Sequence, residues 1–163
     1  ALERVRHLRI SVGSMVRQMS RYRDQCFDAV KNGDLSGAKR IWNQLIGTIR
    51  EAQVAAKMAD SGEDVMDLQK NIKRADGSRL TEIDAISRVG DRIVYTQVKT
   101  GDAANITRRS NAWSRLQNQI DRTVEAAQSV GGEARFVVDN VSDEAREYME
   151  SKGVRVILSA DFF

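Results

Sequence analysis

The chain has 163 residues, a formal net charge of +3, 41% hydrophobic and 30% charged residues, which fits a folded domain with a real core and excludes a disordered tail. A single cysteine, Cys26, and a single histidine, His7, exclude an internal disulfide, a cysteine-based zinc site, a multi-histidine metal site and a histidine-dependent triad. The apolar runs are too short to span a membrane, and the first residues do not form a signal peptide.

Charge is unevenly spread. Residues 1–50 hold ten Lys/Arg against four Asp/Glu, while residues 51–163 hold sixteen against nineteen. A basic front ahead of a more acidic body suits a chain that meets a polyanion with one surface, and a solvated arginine-rich helix gives the same pattern. His7 sits in this basic stretch, where a solvated or partly packed role is expected. The start at Ala1 rather than Met reads as a piece of something longer.

In chain order, apolar residues at helical spacing (Val5, Leu8, Val12, Met15, Val16, Met19) predict a helix from Leu2 to about Lys31, ended by Asn32-Gly33. Asp34 is an N-cap for a second helix to about Ala59, with Ile41, Leu45, Ile49, Ala52 and Ala56 on one stripe. Three strands follow, Asp64–Lys73, Arg79–Val89 and Arg92–Lys99, separated by Ala75-Asp76-Gly77-Ser78 and Gly90-Asp91 turns. Thr107 is read as the cap of a long helix to about Val130, with Trp113, Leu116, Ile120, Val124 and Ala127 buried. A strand at 135–139, a helix capped by Ser142 and a strand at 154–158 complete the chain. Both tryptophans, Trp42 and Trp113, are expected in the core. Tight turns make the first three strands antiparallel, and helical crossovers make the later ones parallel. The expectation is an α/β (α+β) fold, with a mixed sheet of about five strands flanked by helices. Its parts are a basic N-terminal helical segment, 1–34, and a domain, 35–163.

Chemistry concentrates on the second and third strands. Side chains alternate along a strand, so Gln97 and Lys99 share a side with Val98 opposite. Leu80, Glu82, Asp84 and Ile86 share one face of the neighbouring strand, with Ile83 and Ala85 on the other. If Asp84 faces the same way as Gln97 and Lys99, a carboxylate, an amide and an ammonium converge. Oxygen ligands suit a hard cation, and phosphodiester hydrolysis needs a cation, a polarised water and a nearby positive charge. The alternatives are an Asp at an exposed strand end, a plain Asp84–Lys99 ion pair and a strand-edge amide.

These residues resemble the PD-(D/E)xK nuclease superfamily. "TIREAQVAAKMADSGEDV" is similar to the superfamily's first core helix with its glutamate, here Glu51; "TEIDAIS" and "VYTQVKTG" are similar to its two site strands. The resemblance covers residues 45–105 by motif and the remainder by element order. It implies a restriction-endonuclease-like core and Mg²⁺ (or Mn²⁺) held by Asp84, Glu51 and Gln97, with Lys99 acting on the attacking water. Gln97 departs from the usual Asp or Glu, so it brings an oxygen without charge. Glu82 is a further ligand candidate. Gln117 and Gln119 carry over weakly as polar helix residues facing the site.

Arg108, Arg115 and Arg122 recur every seven residues, so on one helix they share a face that suits successive phosphates. Thr100 follows Lys99 and either touches a phosphate or simply closes the strand. The overall expectation is a metal-dependent endonuclease. The layout resembles the C-terminal nuclease toxin domain of contact-dependent growth inhibition and related polymorphic toxins. That implies delivery as part of a larger secreted protein, action on tRNA in the target-cell cytoplasm and neutralisation by an immunity protein. The alternatives are a cytoplasmic DNA endonuclease of resolvase, restriction or repair type, and a non-catalytic nucleic-acid-binding module that keeps the fold.

Overall fold

The computed structural model describes residues 2–163, and the side chains of all of these except 2–5, 7 and 10. The side chains of Val5 and His7 therefore lie outside the described ones. Helices α1 (Leu2–Lys31) and α2 (Leu35–Asp60) form an antiparallel hairpin. Its corner follows from local chemistry. Gly33 takes φ 76, a conformation that costs glycine little, and the Asp34 carboxylate accepts the Gly37 N–H at 2.8 Å to cap α2.

Strands β1 (Asp64–Lys73), β2 (Arg79–Val89) and β3 (Arg92–Lys99) form an antiparallel meander. After it come α3 (Trp113–Gln128), β4 (Glu133–Val138), α4 (Asp143–Ser151), β5 (Arg155–Leu158) and a final turn of helix, α5 (Ser159–Phe162). β4 joins β3 in parallel and β5 joins β4 in parallel, giving one five-stranded mixed sheet ordered β1-β2-β3-β4-β5. The sheet, its mixed direction and its flanking helices match the fold expected from the sequence.

Two cores lie on the two faces of the sheet. Ile83, Ile86, Tyr95, Phe136 and Val138 pack against Trp113, Leu116 and Ile120 of α3 and Met149 of α4. Leu68, Ala85, Val98 and Val137 pack under Val54, Ala55 and Met58 of α2, with Met15 of α1. Beside this second core, Arg135 is 3% exposed and forms a two-pronged ion pair with Glu63, at 2.7 and 2.9 Å. The Thr96 hydroxyl accepts from Arg135 Nε at 3.0 Å, and the Ser87 hydroxyl donates to Glu63 at 2.7 Å.

Three expectations need correction. The long helix starts at Trp113, not after Thr107. Residues 100–112 are instead held down as turns, because Ala104 is fully buried and bridges Val141, and Ile106 packs on the core. Glu144 also binds the Arg108 N–H, so tertiary contacts outweigh helix propensity there. Trp42 is 52% exposed, because its stripe with Leu35 and Ile46 lies on the outer side of α2. The simple alternation of β2 also fails. Ile83 and Ala85 share a parity, yet Ile83 packs in the α3-side core and Ala85 in the α2-side core.

Candidate active site

The regular β2–β3 ladder runs from Val89↔Arg92 only as far as Ala85↔Thr96. Beyond it the strands part, and side chains take over from backbone partners. The Val98 N–H donates to Asp84 Oδ2 at 2.7 Å, and Gln97 Nε2 donates to the Glu82 carbonyl at 2.7 Å. A buried amide or carbonyl left without a partner is costly, so the parting itself selects side chains of this kind. The strand pair thereby presents Asp84 and Lys99 at its opened end.

Glu51 arrives from α2. Its carboxylate accepts from Gln69 Nε2 at 2.9 Å, and the same amide donates to Gln18 Oε1 at 3.0 Å. Glu51, Asp84 and Lys99 are close enough to shift one another's protonation. Burial, then the Glu51 charge, push the Asp84 carboxyl up to about 8, against the Val98 N–H and Lys99. Burial also raises Glu51, partly offset by the Gln69 amide, while Glu82 adds repulsion and Lys99 attraction. Burial lowers the Lys99 ammonium, and both carboxylates resist that change. Raised carboxyls and a lowered lysine in one place are a signature of functional sites as well as of structural networks.

Gln97 is fully buried. Its Nε2 also meets Thr123 Oγ1 at 3.2 Å, and that hydroxyl gives its own proton to the Gln119 carbonyl at 2.7 Å. Both neighbours therefore demand a donor, which fixes Nε2 toward them and leaves Oε1 with no hydrogen-bond partner. Gln97 follows Thr96 and Asp84 precedes Ala85, the last paired residues of the β2–β3 ladder. Gln97 Oε1 is a buried oxygen without a hydrogen-bond partner, and an amide oxygen is, like a carboxylate, a donor that fits a hard divalent cation. Among the described residues no three Asp, Glu, His or Cys side chains form a metal-holding group. A set of two carboxylates and one amide oxygen is compatible with that.

Glu82 lies nearby. Its side chain pairs with Arg79 at 3.6 Å, and its charge reaches Asp84 and Glu51. Glu82 and Asp84 line a cleft of about 380 Å³ whose other walls include Arg79, Gln119 and Arg122. Thus Arg122 stands at the site. Arg115 is exposed on the same helix. Arg108 lies outside α3, its guanidinium near Glu147 (3.9 Å) and over the Trp113 ring (5.9 Å), so the seven-residue row holds for two arginines and not three. Gln117 bonds toward Tyr148 on α4 and Gln119 lines the cleft; two positions apart on a helix, they point to nearly opposite sides. Thr100 is half-buried, and its carbonyl accepts from Ala103 at 3.2 Å.

Sequence reasoning missed Gln69 and Gln18. Gln69 carries φ 49, the one non-glycine residue with positive φ among those described. Nothing in "DLQKN" announces it, since glycine or asparagine is the usual mark of that conformation.

Together these elements make an α+β domain: a helix, a three-stranded meander, then a helix and a parallel strand, with polar groups gathered where β2 and β3 part. No protein-family model matches the chain, and no curated protein matches it. Among solved structures it is similar to a protein of unknown function, AF1548, at 12% identity and TM-score 0.50, covering 67% of this chain and 56% of that one. It is also similar to SfsA from Pyrococcus furiosus in complex with Ca²⁺, at 12% identity and TM-score 0.41, covering 74% and 56%. A third is EndoMS in a double-stranded DNA complex, at 18% identity and TM-score 0.40, covering 63% and 43%. At such identities the likeness concerns the fold alone. The chain matches about half the length of these proteins, between 43% and 56%.

Proposed function

We propose that the protein is a metal-dependent endonuclease that hydrolyses phosphodiester bonds in nucleic acid. The observation that carries this reading is the meeting of Glu51, Asp84 and Lys99 at the parted ends of β2 and β3, with Gln97 Oε1 left unpartnered. Asp84, Glu51 and Gln97 would hold Mg²⁺ or Mn²⁺. The cation, when bound, polarises the scissile phosphate and lowers the pKa of a bound water.

The chain's own groups do the rest. The Val98 N–H fixes one Asp84 oxygen, and the Gln69 amide fixes one Glu51 oxygen, so both carboxylates are oriented before substrate arrives. Lys99 feels both carboxylates and burial lowers its pKa, which suits it to hold or take a proton from the attacking water and to offset charge on the phosphorane. Arg122 and Arg79 at the cleft wall supply positive charge for phosphates next to the reacting one.

One reading takes DNA as the substrate. The second reading, a delivered toxin domain that cleaves tRNA and is held in check by an immunity protein, rests on chain layout and on the basic front of residues 1–50. A third, a non-catalytic binding module, is favoured by the uncharged Gln97. Incubation with plasmid DNA, total tRNA and Mg²⁺ or Mn²⁺, with EDTA controls, separates them. Nicked or linear plasmid supports the first, cut tRNA the second, and binding without cleavage of either the third.

A further inference from the structure

A second polar groove adjoins the site on the α1 side. Its volume is about 340 Å³ and its walls are Ser14, Arg17, Gln18 and Arg21 of α1 and Gln69 of β1. The four α1 positions follow an i, i+3, i+4, i+7 pattern and so share one helix face. Between them, Met15 and Met19 turn toward the core under α2, which anchors that face against the sheet. Arg17 and Arg21 are exposed, and among the described residues neither is paired with a carboxylate. Arg21 lies over the Tyr22 ring at 5.8 Å.

The groove is physically joined to the carboxylates. Gln69 is its floor, and the same Nε2 atom contacts Gln18 at 3.0 Å and Glu51 at 2.9 Å. Two guanidiniums one helical turn apart and the Ser14 hydroxyl make a set of donors with no acidic side chain in its lining, while Gln69 gives both its N–H groups to Gln18 and Glu51. Such a set suits the oxygens of phosphodiesters. With Arg79 and Arg122 lining the cleft on the α3 side, positive charge is found on both sides of the Asp84–Glu51 pair.

Resting on the nuclease reading, we infer that the α1–β1 groove is a phosphate-binding subsite. It takes backbone phosphates of the nucleic-acid strand beside the one that is cut, with Arg17 and Arg21 as the gripping groups. The N-terminal hairpin is then part of the substrate-binding surface. The subsite acts on backbone, so it adds affinity without base preference.

The test is binding of fluorescein-labelled DNA and RNA of about 20 nucleotides by anisotropy, without metal, between about 50 and 200 mM salt. Wild type is compared with Arg17→Ala/Arg21→Ala and with Lys39→Ala/Arg40→Ala, which removes the same charge from exposed positions on α2. Expected for the first pair is a weaker affinity and a slope of log K against log salt smaller by about 1.4–1.8, one phosphate contact per arginine. The α2 pair is expected to keep the wild-type slope, and circular dichroism to show both variants folded. An unchanged slope in the α1 pair, or an equal fall in the α2 pair, overturns the subsite and leaves the nuclease reading standing. Failure of wild type to bind either oligonucleotide at the lowest salt overturns both.

Discussion

Gln69 and Asp84 stand across from each other on β1 and β2, between the pairs Leu68↔Ala85 and Lys70↔Ile83. At this level the strand pair turns over. Leu68 and Ala85 pack in the core beneath α2, whereas Ile83 and Ile72 reach the core beneath α3. The turn-over releases two polar side chains from the pleat. One becomes the donor that holds Glu51, and the other becomes the carboxylate at the parting of the sheet. Left-handed backbone at a non-glycine residue costs about 1–3 kcal/mol, so the fold gives up stability to gather this site.

Gln69→Gly separates the two effects. Glycine accepts φ 49 without strain, which favours the folded state by about 1 kcal/mol, while Glu51 loses its amide donor. The expected outcome is unchanged or raised thermal stability with cleavage reduced about tenfold or more. Full activity in the folded variant would show that Gln69 does not position Glu51.

Asp84→Asn is expected to abolish cleavage and keep the fold. At neutral pH a carboxyl pushed up to about 8 by burial and by Glu51 resists ionisation, so the wild-type charge weighs against folding as pH rises from about 4 to 8. The amide removes that penalty, and thermal melts at pH 8 should show a gain of about 0.5–2 kcal/mol. A variant that is folded and still cuts nucleic acid rules out the site.

Gln97→Glu tests the orphaned oxygen. The Glu82 carbonyl and the Thr123 hydroxyl oxygen both require a donor, and a carboxylate offers none. Without added cation the variant should lose about 1–3 kcal/mol. With Mn²⁺ the added charge faces the ion, so a melt with and without Mn²⁺ should show a larger metal-induced shift than wild type. Equal shifts place the cation away from this position.

The Glu63–Arg135 pair predicts a pH response of opposite sign. Burial alone pushes Glu63 up, but hydrogen bonds from Arg135 and Ser87 together with the Arg135 and Arg155 charges carry it below its ordinary 4.5. Its stabilisation is therefore fully present above that value and is lost as pH falls through the lower folded value. Arg135→Met leaves Glu63 buried without its partner and should cost about 3–5 kcal/mol at pH 7. Urea melts from pH 3 to 7 should show an acid-side loss in wild type that is blunted in Glu63→Gln. A parallel acid-side loss in that variant rejects the assignment.

Local chemistry was enough to read most of the fold. The 3.6 period, Asp34 and Ser142 as caps, and the glycine turns are all nearest-neighbour effects, and the bounds of the meander strands follow from them, whereas the facing of the β2 side chains does not. The same periods drew α3 five residues too far forward, because Ala104 and Ile106 are pinned by contacts with the α4 segment that no local pattern reveals. Asp84, Lys99, Gln97 and Glu51 were nameable from motif spacing, and the chain alone supplies their chemistry.

Their environment was not nameable. Whether Gln97 turns its amide nitrogen or oxygen outward depends on Thr123, which is 26 residues away, and Glu51 is held by Gln69, 18 residues away. A residue's type is written in the chain, and short-range backbone preferences act within a few positions of it. Burial, which moves the protonation of Asp84, and the partner that each polar atom finds exist only once distant segments have packed.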